Sequence, residues 1–476
     1  METRRPVPLT VRWLVLAVVL LVPVRIVAQG YLPLDDALRH AAKAVSGRSW
    51  GQILVLRPGI AVDSHPGWHW LLEALHRLTG GGAPALVLFS VVALFVVFGL
   101  GPVVILRRPE SWLLSLLILG VTDPAVLSRL FMGRPFLVSG GVLTVILLRW
   151  PSLAARRTGW GALGLVTGLL AAATWIHASW YLFALPVVAF FLAREWRAGA
   201  RLLACLVAGV VAGAILTGQP FAFLRQTLLH PLLALGSFEP QSTLAIEFRA
   251  HEGSPLFVMA LLGMLGWRAL RGEWRRGAVD NPVFLLATLG WVLGFVAKRF
   301  WADWGAPAAL VWLALELQGF LEVTSARDTR RRLALVAAAG ATCFLALTSD
   351  ANGRWSTGDT TFLPLMSADA APWLPDPGGV LYSDEMRLFY QLFYRRPDAP
   401  WRYLVGFEPG LMPPEDLAVY RDILKARTAQ AFAPWVRRMR PEDRLVIRSI
   451  GLGQPPIDGL EWHHLGGEIW SGRKSP

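Results

Sequence analysis

The chain has 476 residues, 54% of them hydrophobic, and contains 22 tryptophans. Its mean hydropathy of +0.46 lies outside the range usual for soluble globular proteins, so the composition predicts a multi-pass membrane protein. The formal net charge is +13, and the basic residues are interleaved with apolar segments. Membrane topology explains this pattern better than nucleic-acid binding does, so we expect no nucleic-acid partner.

Apolar runs bounded by charge, glycine or proline predict about eleven membrane spans. The predicted spans are 7–28, 84–106, 110–122, 136–150, 160–175, 179–193, 201–217, 255–270, 281–297, 305–322 and 332–348. We interpret the first as a retained span, because it is long enough to cross a bilayer and no Ala-x-Ala cleavage site is evident. Several others are shorter than the roughly twenty residues that a straight helical span needs.

Alternate loops between these spans are rich in arginine, which predicts that they face the cytoplasm. With the N-terminus inside, the intervening loops lie outside, and an odd number of spans places residues 350–476 outside as well. Short β-like runs alternate with amphipathic segments in this last part, for example GGVLYS and DRLVIRSI. We therefore expect a mainly α, polytopic transmembrane domain, residues 1–349, and a small extracytoplasmic α/β domain, residues 350–476.

The first outside loop, residues 29–83, begins with two adjacent carboxylates, Asp35 and Asp36. Such a pair suits a helix N-terminus, where negative charge meets the positive end of the helix dipole. It also suits a general base or a metal-holding site at the membrane surface, with His40 one turn after Asp36 on the same helical face. Both interpretations are open from the sequence.

Other candidate substrate-binding residues lie farther along the outside loops. They are His65, Arg134, His177, Arg249, Lys298, Arg299 and Asp303. Arginine and lysine can bind phosphate oxygens at such positions, although a cation at a span end also commonly extends toward the interface. The sequence has no Walker loop, HExxH pair or CxxC motif, so ATP-driven transport, zinc proteolysis and thiol redox chemistry have no motif here.

This layout resembles the GT-C superfamily of lipid-phosphate-dependent glycosyltransferases, such as protein O-mannosyltransferases and the aminoarabinose transferase of lipid A. The matching features are LDDA at 34–37, His65-Pro66, the turn Gly133-Arg134-Pro135, and the C-terminal runs DRLVIRSI and GGEIWSGR. The resemblance implies a GT-C-like fold and an acidic residue that acts on the acceptor or holds a metal. That role falls on Asp35 or Asp36, with Asp35 expected to matter more. If a divalent cation, Mg²⁺ or Mn²⁺, is a cofactor, one of these two would hold it.

From the resemblance we predict a glycosyltransferase in a bacterial inner membrane, with a polyprenyl-phosphate sugar as donor. The acceptor is a glycan, lipid or protein on the extracytoplasmic side, and membrane lipid is a further partner. The residue types agree, because the reaction needs a carboxylate for the acceptor hydroxyl and cations for the departing phosphate. We predict the phosphate near Lys298 and Arg299, with Arg134 or Arg249 as the next candidates.

Two other classes of protein remain open. A non-catalytic assembly or binding subunit could share this layout, since one acidic pair does not prove turnover. A lipid-linked sugar transporter is less favoured, because its ionisable residues would lie within the spans, whereas here they collect in the outside loops.

Overall fold

The computed structural model describes residues 9–60, 63–235, 250, 254–272, 277, 279–324, 329–356, 358, 360–449 and 453–474. The first helices are α1 (Leu9–Ala28), α2 (Asp36–Ser46), α3 (Trp50–Ile53), α4 (Pro66–Thr79), α5 (Ala83–Ile105), α6 (Glu110–Thr122), α7 (Pro124–Arg129) and α8 (Phe136–Ala154). They are followed by α9 (Trp160–Ile176), α10 (Ala184–Leu192), α11 (Trp196–Ile215), α12 (Pro220–Leu235), α13 (Pro255–Leu270), α14 (Pro282–Gly294), α15 (Lys298–Phe300), α16 (Ala306–Thr324) and α17 (Thr329–Thr348).

Within the described part of the chain, six helices are long and apolar enough to cross a membrane. They are Leu9–Ala28, Ala83–Ile105, Phe136–Ala154, Trp196–Ile215, Lys298–Glu322 and Arg330–Thr348. Helix suits these runs because it satisfies every backbone polar group internally, as a bilayer requires. This confirms the prediction of a multi-pass membrane protein. Five shorter apolar helices coincide with the other predicted spans, and the total of eleven crossings stays a prediction.

The first outside loop folds into α2, α3 and α4. The side chain of Asp35 caps α2 by accepting a hydrogen bond from the backbone N of Asp36 at 2.6 Å, and α2 ends at Gly47, whose φ is +60°. Pro66 begins α4, and Gly80, with φ +65°, ends it. Helix α2 packs against α4, α5 and the C-terminal helix α18 (Met386–Arg395), so the acidic pair lies where the membrane helices meet the C-terminal region.

The C-terminal region contains α18, α19 (Pro414–Ala426), α20 (Ala433–Arg438) and a five-stranded sheet. Its strands are β1 (Val380–Tyr382), β2 (Arg402–Tyr403), β3 (Arg444–Arg448), β4 (Glu461–Gly466) and β5 (Ile469–Arg473), in the order β2-β1-β3-β5-β4. Strand β1 pairs in parallel with β2 and β3, while β5 is antiparallel to β3 and β4. Helix α18 connects the parallel strands β1 and β2, as such a pair requires. These elements confirm the prediction of an α/β region.

Backbone hydrogen bonds join the first outside loop to this sheet. Leu54 forms a parallel bridge with Tyr403 of β2, and the amide of Val55 donates to the carbonyl of Tyr403 at 2.9 Å. The amide of Arg57 donates to the carbonyl of Leu411 at 2.8 Å. The loop with the acidic pair therefore covers the edge strand β2, and the division of the chain into two domains stays a prediction.

Candidate functional site

The acidic pair lies between two guanidinium groups. Arg134 donates to Asp35 from Nε at 3.2 Å and from Nη2 at 2.5 Å, and its Nε lies 3.3 Å from Oδ2 of Asp36. Arg39 donates from Nε to Oδ1 of Asp36 at 2.6 Å, and the hydroxyl of Tyr390 donates to the same oxygen at 3.4 Å. Burial raises the pKa of Asp36, but the charges of Arg39 and Arg134 outweigh it and hold that pKa below its usual range. Asp36 is therefore a carboxylate at neutral pH.

Arg134 reaches the pair because the chain turns at Gly133. Its φ of +63° is in the left-handed region, and a Cβ at this position would lie 3.1 Å from Cβ of Ala37 and 3.2 Å from Cγ2 of Val91. Glycine meets both constraints without strain. The turn thus packs closely against α2 and presents the next side chain to Asp35.

A second charged cluster surrounds Asp303. Its carboxylate accepts from Arg129 Nε at 2.7 Å and Nη2 at 3.1 Å, and its Oδ2 lies 3.4 Å from Nε of Arg299. Arg299 also donates from Nη2 to the hydroxyl of Ser179. One buried carboxylate therefore fixes two guanidinium groups in place.

Asp303 takes this position on a π-helical turn, Trp301–Gly305, inside the span Lys298–Glu322. Such turns inside longer helices are frequent at functional sites. The turn packs directly on α14, since a Cβ on Gly290 would lie 2.4 Å from Cα of Gly305. Two glycines therefore allow the helices to approach closely where the charged cluster is held.

Four histidines form a row next to the acidic pair. Asp63 accepts a hydrogen bond from Nδ1 of His69, and Nε2 of His69 lies 2.7 Å from Nδ1 of His40. Because a carboxylate only accepts, it places the proton of His69 on Nδ1, so His40 donates from its own Nδ1. Nε2 of His40 is then a buried acceptor without a partner among the described residues. The ring of His65 lies 4.9 Å from that of His40 and 5.5 Å from that of His177.

The side chains of His40, His65 and His69 are neutral at neutral pH. Burial, and then the charge of Arg39, lower the pKa of His65 to about 3 and lower the pKa of His40 well below its usual value. Burial also lowers the pKa of His69, against the opposing effect of Asp63. The contact between His69 and Asp63 is thus a hydrogen bond from a neutral imidazole to a carboxylate.

The acidic pair, the arginine cluster and part of the histidine row open onto one cavity with about 990 Å³ of empty space, including the part open to solvent. Its lining consists of Asp36, Arg39, Ser64, His65, Arg129, Arg134, Pro135, Phe136, His177, Ala178, Ser179, Tyr181, Gln226, Thr227, Arg299, Asp303, Tyr390, Phe407 and Glu408. Six of the ten residues proposed from the sequence are among them. The structure therefore brings together residues from separate loops that the sequence predicts to lie outside.

Four proposed residues are not in the lining. Asp35 caps α2 and binds Arg134, His40 is fully buried, and Lys298 does not line the cavity although its neighbour does. Arg249 lies outside the described residues. The cavity therefore pairs Arg299 with Arg129 and not with Lys298, while the phosphate site itself stays a prediction.

Several lining residues were not proposed from the sequence. Arg39 had a local signal, because it follows Asp36 by three residues, which is the spacing of a helical ion pair. Tyr390 had no such signal, since it lies 354 residues from Asp36 along the chain. Arg129 and Glu408 also had no such signal, because the sequence around them does not show whether a charged side chain faces a cavity or the membrane interface.

The acidic pair, as this structure holds it, is not arranged as an Mg²⁺ or Mn²⁺ site, and the divalent cation stays a prediction. Mg²⁺ takes near-octahedral oxygen ligands at about 2.0–2.1 Å. Both carboxylates here already accept hydrogen bonds from guanidinium groups. Among the described residues, no group of three or more His, Cys, Asp and Glu side chains is placed to hold a metal ion. Arginine, in this arrangement, balances the charge of the pair.

The fold of the chain matches that of two solved arabinofuranosyltransferase structures, which confirms the predicted GT-C resemblance at the level of fold. The arabinofuranosyltransferase AftD from Mycobacteria matches 98% of this chain and 40% of its own, with a TM-score of 0.52 at 17% identity. A mutant of AftD matches 99% of this chain and 42% of its own, with a TM-score of 0.54 at 17% identity. The chain thus spans about 40% of the length of these proteins.

An oligosaccharyltransferase from Archaeoglobus fulgidus, solved in complex with Zn and sulfate, matches 91% of this chain and 68% of its own, with a TM-score of 0.47 at 11% identity. No protein-family model and no curated protein matches the sequence. What the chain shares with AftD is therefore the fold.

Proposed function

We propose that the protein is a glycosyltransferase that moves a sugar from a polyprenyl-phosphate donor to an acceptor hydroxyl on the extracytoplasmic side of a bacterial inner membrane. The observation that carries the proposal is that one cavity is lined by the carboxylate of Asp36 and by Arg129 and Arg299, the two arginines that Asp303 holds. The activity of AftD makes an arabinofuranosyl group the first sugar to test.

In this proposal the donor phosphate binds at Arg129 and Arg299. Asp303 holds both side chains before the ligand arrives, so little side-chain ordering is needed on binding. Guanidinium groups bind phosphate oxygens through forked N–H donors. As the sugar leaves, negative charge grows on the bridging phosphate oxygen, and these preorganised cations stabilise it.

The acceptor hydroxyl binds at Asp36 in this proposal. Asp36 lines the cavity, whereas Asp35, which the sequence favoured, is engaged as a helix cap and by Arg134. The acceptor oxygen forms a bond to the anomeric carbon while the bond from that carbon to the phosphate oxygen breaks. Polyprenyl phosphate leaves with the electron pair, and the hydroxyl proton passes to Asp36 and then to water. Because its lowered pKa keeps Asp36 ionised before the acceptor binds, Asp36 is able to take up this proton.

The test is transfer by the full chain in lipid nanodiscs, supplied with a radiolabelled polyprenyl-phosphate arabinofuranose and saccharide acceptors. We expect Asp36→Asn to lower the transfer rate by roughly 10²–10⁴-fold. Asp35→Asn should lower it less, because asparagine caps a helix about as well as aspartate and the substitution mainly weakens the ion pair with Arg134. Loss of transfer in Asp35→Asn with full activity in Asp36→Asn would reverse the two roles.

The same assay tests the alternative function. A parent protein that binds the donor but never transfers sugar would favour the non-catalytic binding subunit.

A further inference from the structure

We infer that the cavity wall contributed by the C-terminal region is an acceptor subsite that selects a neutral saccharide. This inference rests on the proposed transferase function and names the class of its acceptor. The wall consists of three lining residues, Tyr390 on α18 and Phe407 and Glu408 after β2.

The wall is held against the helix that carries the acidic pair. The hydroxyl of Tyr390 lies 3.4 Å from Oδ1 of Asp36 and 3.4 Å from the carbonyl oxygen of Phe407. The guanidinium carbon of Arg39 lies 4.0 Å from the ring centroid of Phe407, and the ring of Trp50 packs at 4.8 Å from it. A ligand that contacts this wall is therefore positioned relative to the carboxylate that would take its proton.

The contacts divide the cavity lining into two groups with different ligand preferences. Arg129 and Arg299 share Asp303 and suit an anion. The other group combines two carboxylates, Asp36 and Glu408, with the Tyr390 hydroxyl. The guanidinium groups of Arg39 and Arg134 balance the charge of Asp36. Carboxylates accept hydrogen bonds from hydroxyl groups, and the charge of Glu408 repels an anionic acceptor.

Arg39 adds an unmatched donor to the second group. It lines the cavity, only 4% of it is exposed, and its Nη1 has no hydrogen-bond partner among the described residues. Leaving such a buried donor unsatisfied costs free energy, so a ligand oxygen near it would be favoured. The hydroxyl groups of a sugar both donate and accept, and therefore match Glu408 and Arg39 at once.

The surroundings of the wall disfavour the other acceptor classes. A peptide strand cannot add to the near edge of the sheet, because β2 already pairs with Leu54 and Val55. A lipid acceptor would approach through the apolar spans, whereas Tyr390, Phe407 and Glu408 lie on a region that contains none of the six spanning helices. A saccharide that arrives from water is the occupant these contacts favour.

The test compares methyl glycosides of neutral hexoses and pentoses with the matching methyl hexuronides, which differ by one carboxylate. Binding to the full chain in nanodiscs is measured by saturation-transfer NMR titration. We expect the parent to bind at least one neutral glycoside about tenfold or more tightly than its hexuronide.

Glu408→Gln should reduce this affinity ratio at least about fivefold while it keeps the binding of neutral glycosides, because the amide retains hydrogen-bonding capacity but not the charge. Glu385→Gln, in the same region but outside the cavity lining, is the matched control and should leave the ratio unchanged.

An unchanged ratio in Glu408→Gln, equal binding of both ligand classes by the parent, or no glycoside binding would overturn the inference. Binding of a fluorescent polyprenyl-phosphate analogue is measured on the same samples and should be equal in the parent and Glu408→Gln. If the parent does not bind this analogue, the proposed donor is wrong whatever the glycosides do. If it binds the analogue but shows no saccharide selectivity, only the acceptor subsite is refuted.

Discussion

At the scale of single residues, two adjacent cations have different surroundings. Arg299 lines the cavity, contacts Asp303 and donates to Ser179, whereas Lys298 does not line the cavity. Lysine and arginine at a span end look alike in a sequence, since both serve as interfacial anchors. Only the tertiary structure distinguishes the cation that faces the cavity from its neighbour.

This difference gives a matched pair of variants. We expect Arg299→Met to weaken binding of a fluorescent polyprenyl-phosphate analogue by roughly 10–100-fold, because a charge-assisted fork to the phosphate is lost. Lys298→Met should change the affinity by less than about threefold, because Lys298 does not line the cavity. Fluorescence titration in nanodiscs measures both. Equal effects of the two substitutions would support the sequence-based phosphate site, and no effect of either would move that site elsewhere.

The sequence predicted which residue types form the site better than it predicted which residues pair. Charged side chains in outside loops indicated a surface reaction, and Asp36, Arg134 and Arg299 do line one cavity. The role of Asp303 as a shared partner of two arginines could not be predicted. Arg129 lies 174 residues away from it, and no local pattern encodes a contact at that separation.

At the scale of elements, the turn at Gly133 positions Arg134. We expect Gly133→Ala to lower the free energy of unfolding by about 1–3 kcal/mol, because a left-handed conformation is strained for alanine and its Cβ would crowd Ala37. Gly159→Ala is the control, since a Cβ at that position meets nothing within 4 Å. Thermal unfolding in detergent compares the two variants with the parent. Equal stability of both variants would contradict the proposed constraint on the turn.

The histidine row predicts a pH dependence of stability. Burial lowers the pKa of His40, His65 and His69 from 6.5, so the unfolded chain binds more protons than the folded one below that value. Stability should therefore fall as the pH drops from 6.5 to 5, by up to about 1.4 kcal/mol per pH unit for each histidine. Asp36 and Asp63, whose pKa values are lowered from 3.8, add nothing in this window, because both are ionised in the folded and the unfolded chain.

Chemical denaturation at several pH values measures this slope. His40→Gln should reduce it, while His76→Gln, outside the row, should leave it unchanged. A parent protein whose stability is constant between pH 6.5 and 5 would show that these imidazoles are not kept neutral by the fold.

Some boundaries of the elements could be predicted because their signals are local. Asp35 caps α2 and Pro66 begins α4, each as its residue type indicates. The bridge between Leu54 and Tyr403 had no signal, because strand pairing over such a separation depends on the packing of the whole chain. The same is true of the π-helical turn that carries Asp303.

At the scale of the whole molecule, the cavity joins two parts of the chain that differ in composition. Helices of the membrane region supply Arg129 and Arg299, while the C-terminal region supplies Tyr390 and Glu408. Hydropathy predicted both parts, since long apolar runs and short alternating strands differ in period and length. It could not predict that the first outside loop would pair with the C-terminal sheet and close the cavity between them.

The orientation of the molecule decides which donors can reach this cavity. Arginine-rich alternate loops predict that the C-terminal region lies outside, so a lipid-linked sugar is available there and a cytoplasmic nucleotide sugar is not. One exposed position on each predicted side allows a test. Asp398, which precedes β2, lies on the predicted outside, and Arg157, between α8 and α9, lies on the predicted inside. The native Cys205 and Cys343 are buried. We expect a membrane-impermeant thiol reagent to label Asp398→Cys in intact cells and to label Arg157→Cys only after the membrane is opened. Labelling in the opposite order would place the cavity in the cytoplasm, where the proposed polyprenyl-phosphate donor would have to give way to a nucleotide sugar.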